Sequence, residues 1–225
     1  MSNPESTLWL VDADRTLVDT DRYSRAFLKS LQGLVEDDQY SEVEERLFSP
    51  LNTVSVGDLF DELRIGVSMD DVLRDIEVPE DSFRYLDVDG FLERFCPNVQ
   101  VITTAADVDY QHAKLNHAGL KDAAGLKDAV VLTDNKGQYI TKRMARTDAG
   151  GLIFPDFDEI KEFGQVNVVD DRHKAVAPLI EAEIPGVQVY VLQRLGAKYE
   201  IPSDCDRSAF TVIESLDELL LEPTR

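Results

Sequence analysis

The apolar run Leu8-Trp9-Leu10-Val11 stops at Asp12-Ala13-Asp14-Arg15-Thr16. A strand with no polar alternation is buried on both faces, as in a parallel sheet covered by helices. Its acidic end therefore has to lie at an edge of that sheet. Residues two apart in an extended chain point the same way, so Asp12 and Asp14 share one side. The carboxyl edge of an open α/β sheet is where ligands bind. Like charges this close are costly unless a cation or a shared proton offsets them. The run thus points to a metal-assisted reaction with one carboxylate as nucleophile.

Further apolar runs at 99–103, 129–133, 166–169 and 187–192, with a sixth at 210–213, predict the remaining strands. Helical patterns separate most of them. The expected fold is α/β, a doubly wound parallel sheet. The gap between the first two strands is too long for one crossover helix. Tyr23, Phe27, Leu28, Leu31 and Leu34 form one apolar face in it, and Val43, Leu47, Leu59, Leu63, Val72 and Ile76 supply shorter amphipathic pieces. Ser68 and Asp71 read as a variant capping box. Residues 18–87 are expected to form an all-helical cap domain, with 1–17 and 88–225 as the core. Residues 89–95 read as the helix returning to that core. The echo Gly-Leu-Lys-Asp-Ala at 119–123 and 125–129 reads as a helix end and turn.

The net charge of −21 argues against nucleic acid or an anionic membrane surface as a partner. It fits either a high-salt host or simply an acidic protein. No apolar run reaches membrane-span length, the first residues lack signal-peptide character, and Cys96 and Cys205 are isolated. A cytoplasmic protein with free thiols is the plain expectation. The oligomeric state is not legible.

Four strand ends carry polar groups. Asp12, Asp14 and Thr16 follow the first strand, and Thr103-Thr104-Ala105 follow the second. Asp134-Asn135-Lys136-Gly137 opens a helix expected over 138–146, and Asp170-Asp171-Arg172 follow the fourth strand. A parallel sheet gathers these loops at one edge. Acidic pair, hydroxyl, ammonium and acidic pair suit phosphoryl transfer. Carboxylates hold Mg2+, hydroxyls and turn N–H groups bind phosphate oxygens, and an Asp nucleophile passes through an aspartyl-phosphate. Taken singly, Thr103 reads equally as a helix cap, Lys136 as a solvated turn lysine, and Asp170-Asp171 as a cap for the next helix, with Pro178 in or near its first turn.

The ordered set resembles the haloacid dehalogenase-like (HAD) superfamily of hydrolases. Asp12-Ala13-Asp14-Arg15-Thr16 resembles its first motif, Asp-x-Asp-Gly-Thr; Val101-Ile102-Thr103 the second; Asn135-Lys136-Gly137 the third; Val169-Asp170-Asp171 the fourth. The insert after the first motif sits where the family's C1-type helical caps lie. The resemblance implies Asp12 as nucleophile and metal ligand. Asp14 would be general acid/base, its backbone carbonyl ligating the metal. Thr103 would hydrogen-bond the phosphate, with Thr104 able to share that role. Lys136 would stabilise Asp12 and the phosphoryl group, and Asp171 with Asp170 would complete the Mg2+ site. An acid at position 14 favours phosphatases and phosphomutases over dehalogenases.

Arg15 replaces the family's usual Gly. It strains the chain if φ is positive, and otherwise adds a cation for an anionic substrate. Its N–H lies in the loop expected to cradle phosphate. Ala175 replaces a second acid often found four residues beyond Asp171, and Lys142 rivals Lys136. His112, His117 and His173 read as helix-face or surface residues. The expected function is a Mg2+-dependent phosphatase acting on a small phosphorylated metabolite. The alternatives are a phosphomutase and a catalytically inactive binding or regulatory protein.

Overall fold

The computed structural model describes residues 7–49, 55–96, 98–104, 107–120, 130–133, 135–148, 150–154, 162–197 and 199–221. From β1 (Thr7–Val11) the chain passes through α1 (Thr20–Leu31), α2 (Asp37–Phe48), α3 (Val56–Glu62), α4 (Met69–Arg74) and α5 (Val88–Phe95). It returns as β2 (Val99–Thr104), α6 (Val108–His117), β3 (Val130–Thr133) and α7 (Lys136–Arg143). Three two-residue strands follow, β4 (Ala145–Arg146), β5 (Leu152–Ile153) and β6 (Glu162–Phe163). The chain ends through β7 (Gln165–Asp170), α8 (His173–Ala182), β8 (Val187–Leu192), β9 (Thr211–Ile213) and α9 (Asp217–Leu221).

Six strands form one sheet in the order β3-β2-β1-β7-β8-β9, every pair parallel. The expected strands are all present, inside a doubly wound α/β architecture with a helical insert after β1. The order reverses at β1, whose neighbours β2 and β7 come from later in the chain. That reversal opens a crevice at the carboxyl ends of β1 and β7.

Strand alternation sorts the core into two layers. Trp9, Val11, Val101 and Tyr190 pack on one face with Tyr23 and Phe27 of α1 and Phe91 of α5. Leu8, Leu10, Val168 and Val189 pack on the other with Ile140 of α7 and Val176 and Leu179 of α8. The insert thus shares its apolar layer with one face of the sheet. Within it, α1 is capped by Asp19, which accepts from the Arg22 N–H at 3.0 Å.

Several local expectations change. Leu34 lies past the end of α1, beyond Gly33 at φ +79°, and is 47% exposed. Ser68 occupies the N-cap of α4, but its side chain makes no capping bond. The helix expected to reach 146 stops at Arg143, because residues 145–146 pair with β5 in a small antiparallel sheet. Pro178 lies inside α8, beyond its first turn. Most of the Gly-Leu-Lys-Asp-Ala echo, residues 121–129, lies outside the described residues.

The insert is tied to the core twice. Where the chain leaves and returns, Val18 bridges Arg84, and the Asp19 N–H donates to Phe83 O at 2.8 Å. Next to this ribbon, buried Asp87 takes both guanidinium nitrogens of Arg194 at 2.8 Å, the Ser215 hydroxyl at 2.8 Å and the Leu216 N–H at 2.8 Å. Arg194 also donates to Thr16 O at 2.9 Å and stacks on Tyr85, 3.9 Å from the ring centroid. Removing the acid leaves a half-buried guanidinium without its counter-charge. Asp87→Ala is expected to lower the urea midpoint by an amount equivalent to about 3–5 kcal/mol. An unchanged midpoint would show the knot to be dispensable.

Candidate active site

Asp12 follows β1 directly, and its N–H donates to Val169 O at 2.9 Å, which stitches the loop to β7. Asp170 ends β7 and Asp171 follows. All three carboxylates are buried, and one oxygen from each lies within 4.8 Å of the others. Lys136, the first residue of α7, reaches between them, with its ammonium 2.7 Å from Asp12 and 2.6 Å from Asp170. Lys142 lies exposed further along the same helix. The structure thus brings Lys136, not its rival, to the acidic cluster.

Local sequence explains how Lys136 gets there. Asn135 caps α7, its side chain accepting from the Gln138 N–H at 3.0 Å, so Lys136 projects from the first turn at the sheet edge. Gly137 then lets α7 lie against α8. A Cβ there would fall 2.7 Å from Ala175 O and 2.9 Å from Cδ of Pro178.

The two acids of the fourth motif differ. Asp170 is spent inside the protein, with Oδ2 on Lys136 and Oδ1 accepting from the Arg172 N–H at 2.8 Å. Asp171 has a buried Oδ1 with no hydrogen-bond partner among the described residues. The Thr103 hydroxyl, at the end of β2, is likewise buried without a partner, as is the Thr16 hydroxyl. Orphaned buried oxygens are costly unless a ligand completes them. The Thr104 side chain, Ala105 and Asp134 lie outside the described residues.

Three carboxylates against one ammonium leave the cluster short of positive charge. Burial, with Asp170 and Asp14 adding repulsion, pushes the Asp12 carboxyl up to about 7 despite Lys136. Burial, with Asp12 and Asp170 adding repulsion, also pushes Asp171 well above the usual carboxylate range. Burial disfavours the Lys136 ammonium, but Asp12 and Asp170 outweigh it and hold the proton on. Clustered buried oxygen donors and a charge deficit fit a small hard cation such as Mg2+.

Asp14 has the opposite environment. Its carboxylate meets the Lys114 ammonium in a short contact, and accepts from the Gln111 amide at 3.0 Å and the Thr20 hydroxyl at 2.7 Å. Burial alone would raise its pKa, but these donors outweigh it and hold Asp14 ionised. Lys114 is 2% exposed. It shares the inward face of α6 with Tyr110, Gln111 and Leu115. That placement on an otherwise buried helix face was the sequence signal for it, and the motif pattern passes over it.

Arg15 adopts φ +58°, the left-handed region favoured by the Gly it replaces. An ordinary negative φ is not what this loop uses, and the strain costs about 1–2 kcal/mol. The expected phosphate-cradling N–H is also committed elsewhere, donating to Val18 O at 2.9 Å. The guanidinium pairs with Asp21 at 2.7 Å. His117 faces the Tyr23 hydroxyl at 3.3 Å, His173 packs on Phe210, and His112 is exposed.

Neither a protein-family model nor a curated protein sequence matches the chain. Solved structures do. A haloacid dehalogenase-like hydrolase from Burkholderia xenovorans superposes with a TM-score of 0.69 at 16% identity, covering 96% of both chains. An HAD phosphatase from Thermococcus onnurineus gives 0.56 at 16% identity, over 95% of this chain and 96% of its own. An HAD hydrolase from Bacillus subtilis bound to magnesium gives 0.53 at 14% identity, over 96% and 97%. The fold is that of the HAD-like hydrolases. No described helix is long and apolar enough to cross a membrane.

The raised Asp12 and Asp171 values predict how the metal-free protein responds to pH. A folded value above the unfolded 3.8 means the native state binds the proton more tightly. The stability it contributes is complete below the unfolded value and is lost as pH rises through about 7. Asp171→Asn removes one of these buried charges. In chelator at pH 7.5 it is expected to raise Tm by a few degrees, with a smaller gain at pH 5.5. Mg2+ should raise the Tm of the parent and leave the variant nearly unmoved. Equal Mg2+ stabilisation of both proteins would exclude Asp171 as a ligand.

Proposed function

We propose that the chain is a Mg2+-dependent phosphatase hydrolysing a small phosphorylated molecule through an aspartyl-phosphate on Asp12. The observation that carries this reading is the buried Asp12–Lys136–Asp170 bridge beside the unpartnered oxygen of Asp171. The magnesium in the Bacillus subtilis structure and the phosphatase among the matched folds support it.

Asp12, Asp171 and the Asp14 carbonyl would hold Mg2+, which when bound draws charge from the phosphoryl oxygens and keeps Asp12 ionised. Lys136 fixes the Asp12 carboxylate and stabilises the phosphoryl charge. The Thr103 hydroxyl, without a hydrogen-bond partner among the described residues, donates to a phosphate oxygen. Asp12 attacks phosphorus, the P–O bond to the leaving group breaks, and that oxygen takes the proton of the small protonated fraction of Asp14, leaving Asp14 ionised. Water then loses a proton to Asp14 and attacks phosphorus, and the aspartyl P–O bond breaks to regenerate Asp12. Asp170 acts on Lys136 and serves as its second anchor.

Phosphate release from p-nitrophenyl phosphate tests the reading. Activity should vanish in chelator and return with Mg2+. Asp12→Asn and Lys136→Ala should each cost at least about a thousandfold in kcat, whereas Lys142→Ala should stay within about twofold. Full turnover by a folded Asp12→Asn protein would exclude the aspartyl-phosphate. Absence of turnover on any phosphoester with Mg2+ would favour a non-catalytic role.

The Lys114 contact adds a second expectation. An Asp14 held ionised serves well as the base of the hydrolytic step and less well as the acid of the first. Aryl phosphates, whose leaving groups need little protonation, should therefore outpace alkyl phosphates. Lys114→Met should narrow that gap, because the carboxyl then takes up a proton more readily. The ratio of the two kcat/KM values checks it, and a ratio unchanged in Lys114→Met would remove Lys114 from the proton path.

A further inference from the structure

Arg172 follows Asp171 at the start of α8. Its backbone N–H is committed to Asp170, yet among the described residues no carboxylate pairs with its guanidinium. It lies instead over Tyr199, in the loop after β8, with its guanidinium carbon 4.6 Å from the ring centroid. The Arg15 guanidinium carbon lies 5.7 Å from the same centroid. Arg15 is close enough to Asp171 for their charges to interact, and its buried Nε has no acceptor. Loops from three strands thus set two guanidinium groups around one half-buried phenol ring beside the acidic cluster.

Charge accounting gives the cluster a use. Asp12, Asp14, Asp170 and Asp171 face two ammonium groups, Lys136 and Lys114. A divalent cation closes that balance. Arg15 is neutralised by Asp21, which leaves Arg172, next in the chain to Asp171, without a paired carboxylate among the described residues of a chain with net charge −21. Its planar fork matches the oxygens of a carboxylate or phosphate. Packing on Tyr199 restricts its rotamers, so less freedom is lost when an anion binds.

We propose that the Arg172–Tyr199–Arg15 cluster receives a second anionic group, so that the substrate carries a carboxylate or a further phosphate besides the phosphoryl group transferred. This deepens the phosphatase reading and rests on it.

Calorimetric titration in Mg2+ with three non-hydrolysable ligands tests it: propylphosphonate, 3-phosphonopropanoate and propane-1,3-bisphosphonate. At least one of the two ligands that carry a second anionic group should bind tenfold or more tightly than propylphosphonate. Preference for the carboxylate assigns a phosphorylated acid, and preference for the second phosphonate a bisphosphate. Arg172→Gln should shrink the preference below threefold. Tyr199→Ala should weaken it too, and carries the test should Arg172→Gln fail to fold. Equal binding of all three ligands by the parent overturns this inference and leaves the phosphatase reading standing. A preference that survives both substitutions also overturns it. Failure of every phosphonate to bind overturns the phosphatase reading, and this inference with it.

Discussion

One ammonium group makes the centre of this molecule possible. Three carboxylates converge where β1 and β7 end, and each is shielded from water. Their mutual repulsion would open that crevice if nothing lay between them. Lys136 bridges Asp12 and Asp170, and so joins the ends of two neighbouring parallel strands through a helix that belongs to neither. The backbone bond from Asp12 to Val169 O sets the spacing, and the lysine fixes the side chains within it. What remains is an incomplete balance of charge, and that incompleteness gives a cation a reason to bind.

Two acids only two residues apart are then driven in opposite directions. Asp12 is crowded by other carboxylates in a buried setting, and its proton affinity rises. Asp14 is surrounded by an ammonium, an amide and a hydroxyl, and its proton affinity falls. The intervening Ala13 is fully buried and points the other way, into the layer shared with the insert. Different neighbours, rather than different sides of the chain, thus give two carboxylates only two residues apart opposite proton affinities.

Much of this was legible from the chain. Unbroken apolar runs mark strands buried on both faces, and the acids at their ends mark the functional edge. The length between the first two runs disclosed the helical insert. The small antiparallel sheet was not legible, because two-residue strands such as Ala145–Arg146 leave no periodicity to read. Arg15 was misleading in a different way. A residue type with a normal preference for negative φ occupies a left-handed position because the bonds to Val18 and Thr20 over-determine the turn. The helix-face spacing of Lys114 marks it as inward-facing but names no partner, because that partner lies 100 positions away in sequence. The choice between Asp170 and Asp171 likewise depends on which oxygens other groups have already occupied.

Gly137 contributes no side-chain atom, yet it sets how far apart the two halves of the centre can be. The helix that carries Lys136 rests directly on Ala175 and Pro178 of α8, and α8 begins at the residues that follow Asp171. The lysine on one side and the acid with the unpartnered oxygen on the other are therefore coupled mechanically as well as by charge. A bulkier residue at 137 would wedge the helices apart, and the ammonium and the carboxylates would separate together. The electrostatics of the centre have a tolerance smaller than one methyl group, set by a contact between two helix backs rather than by any charged residue.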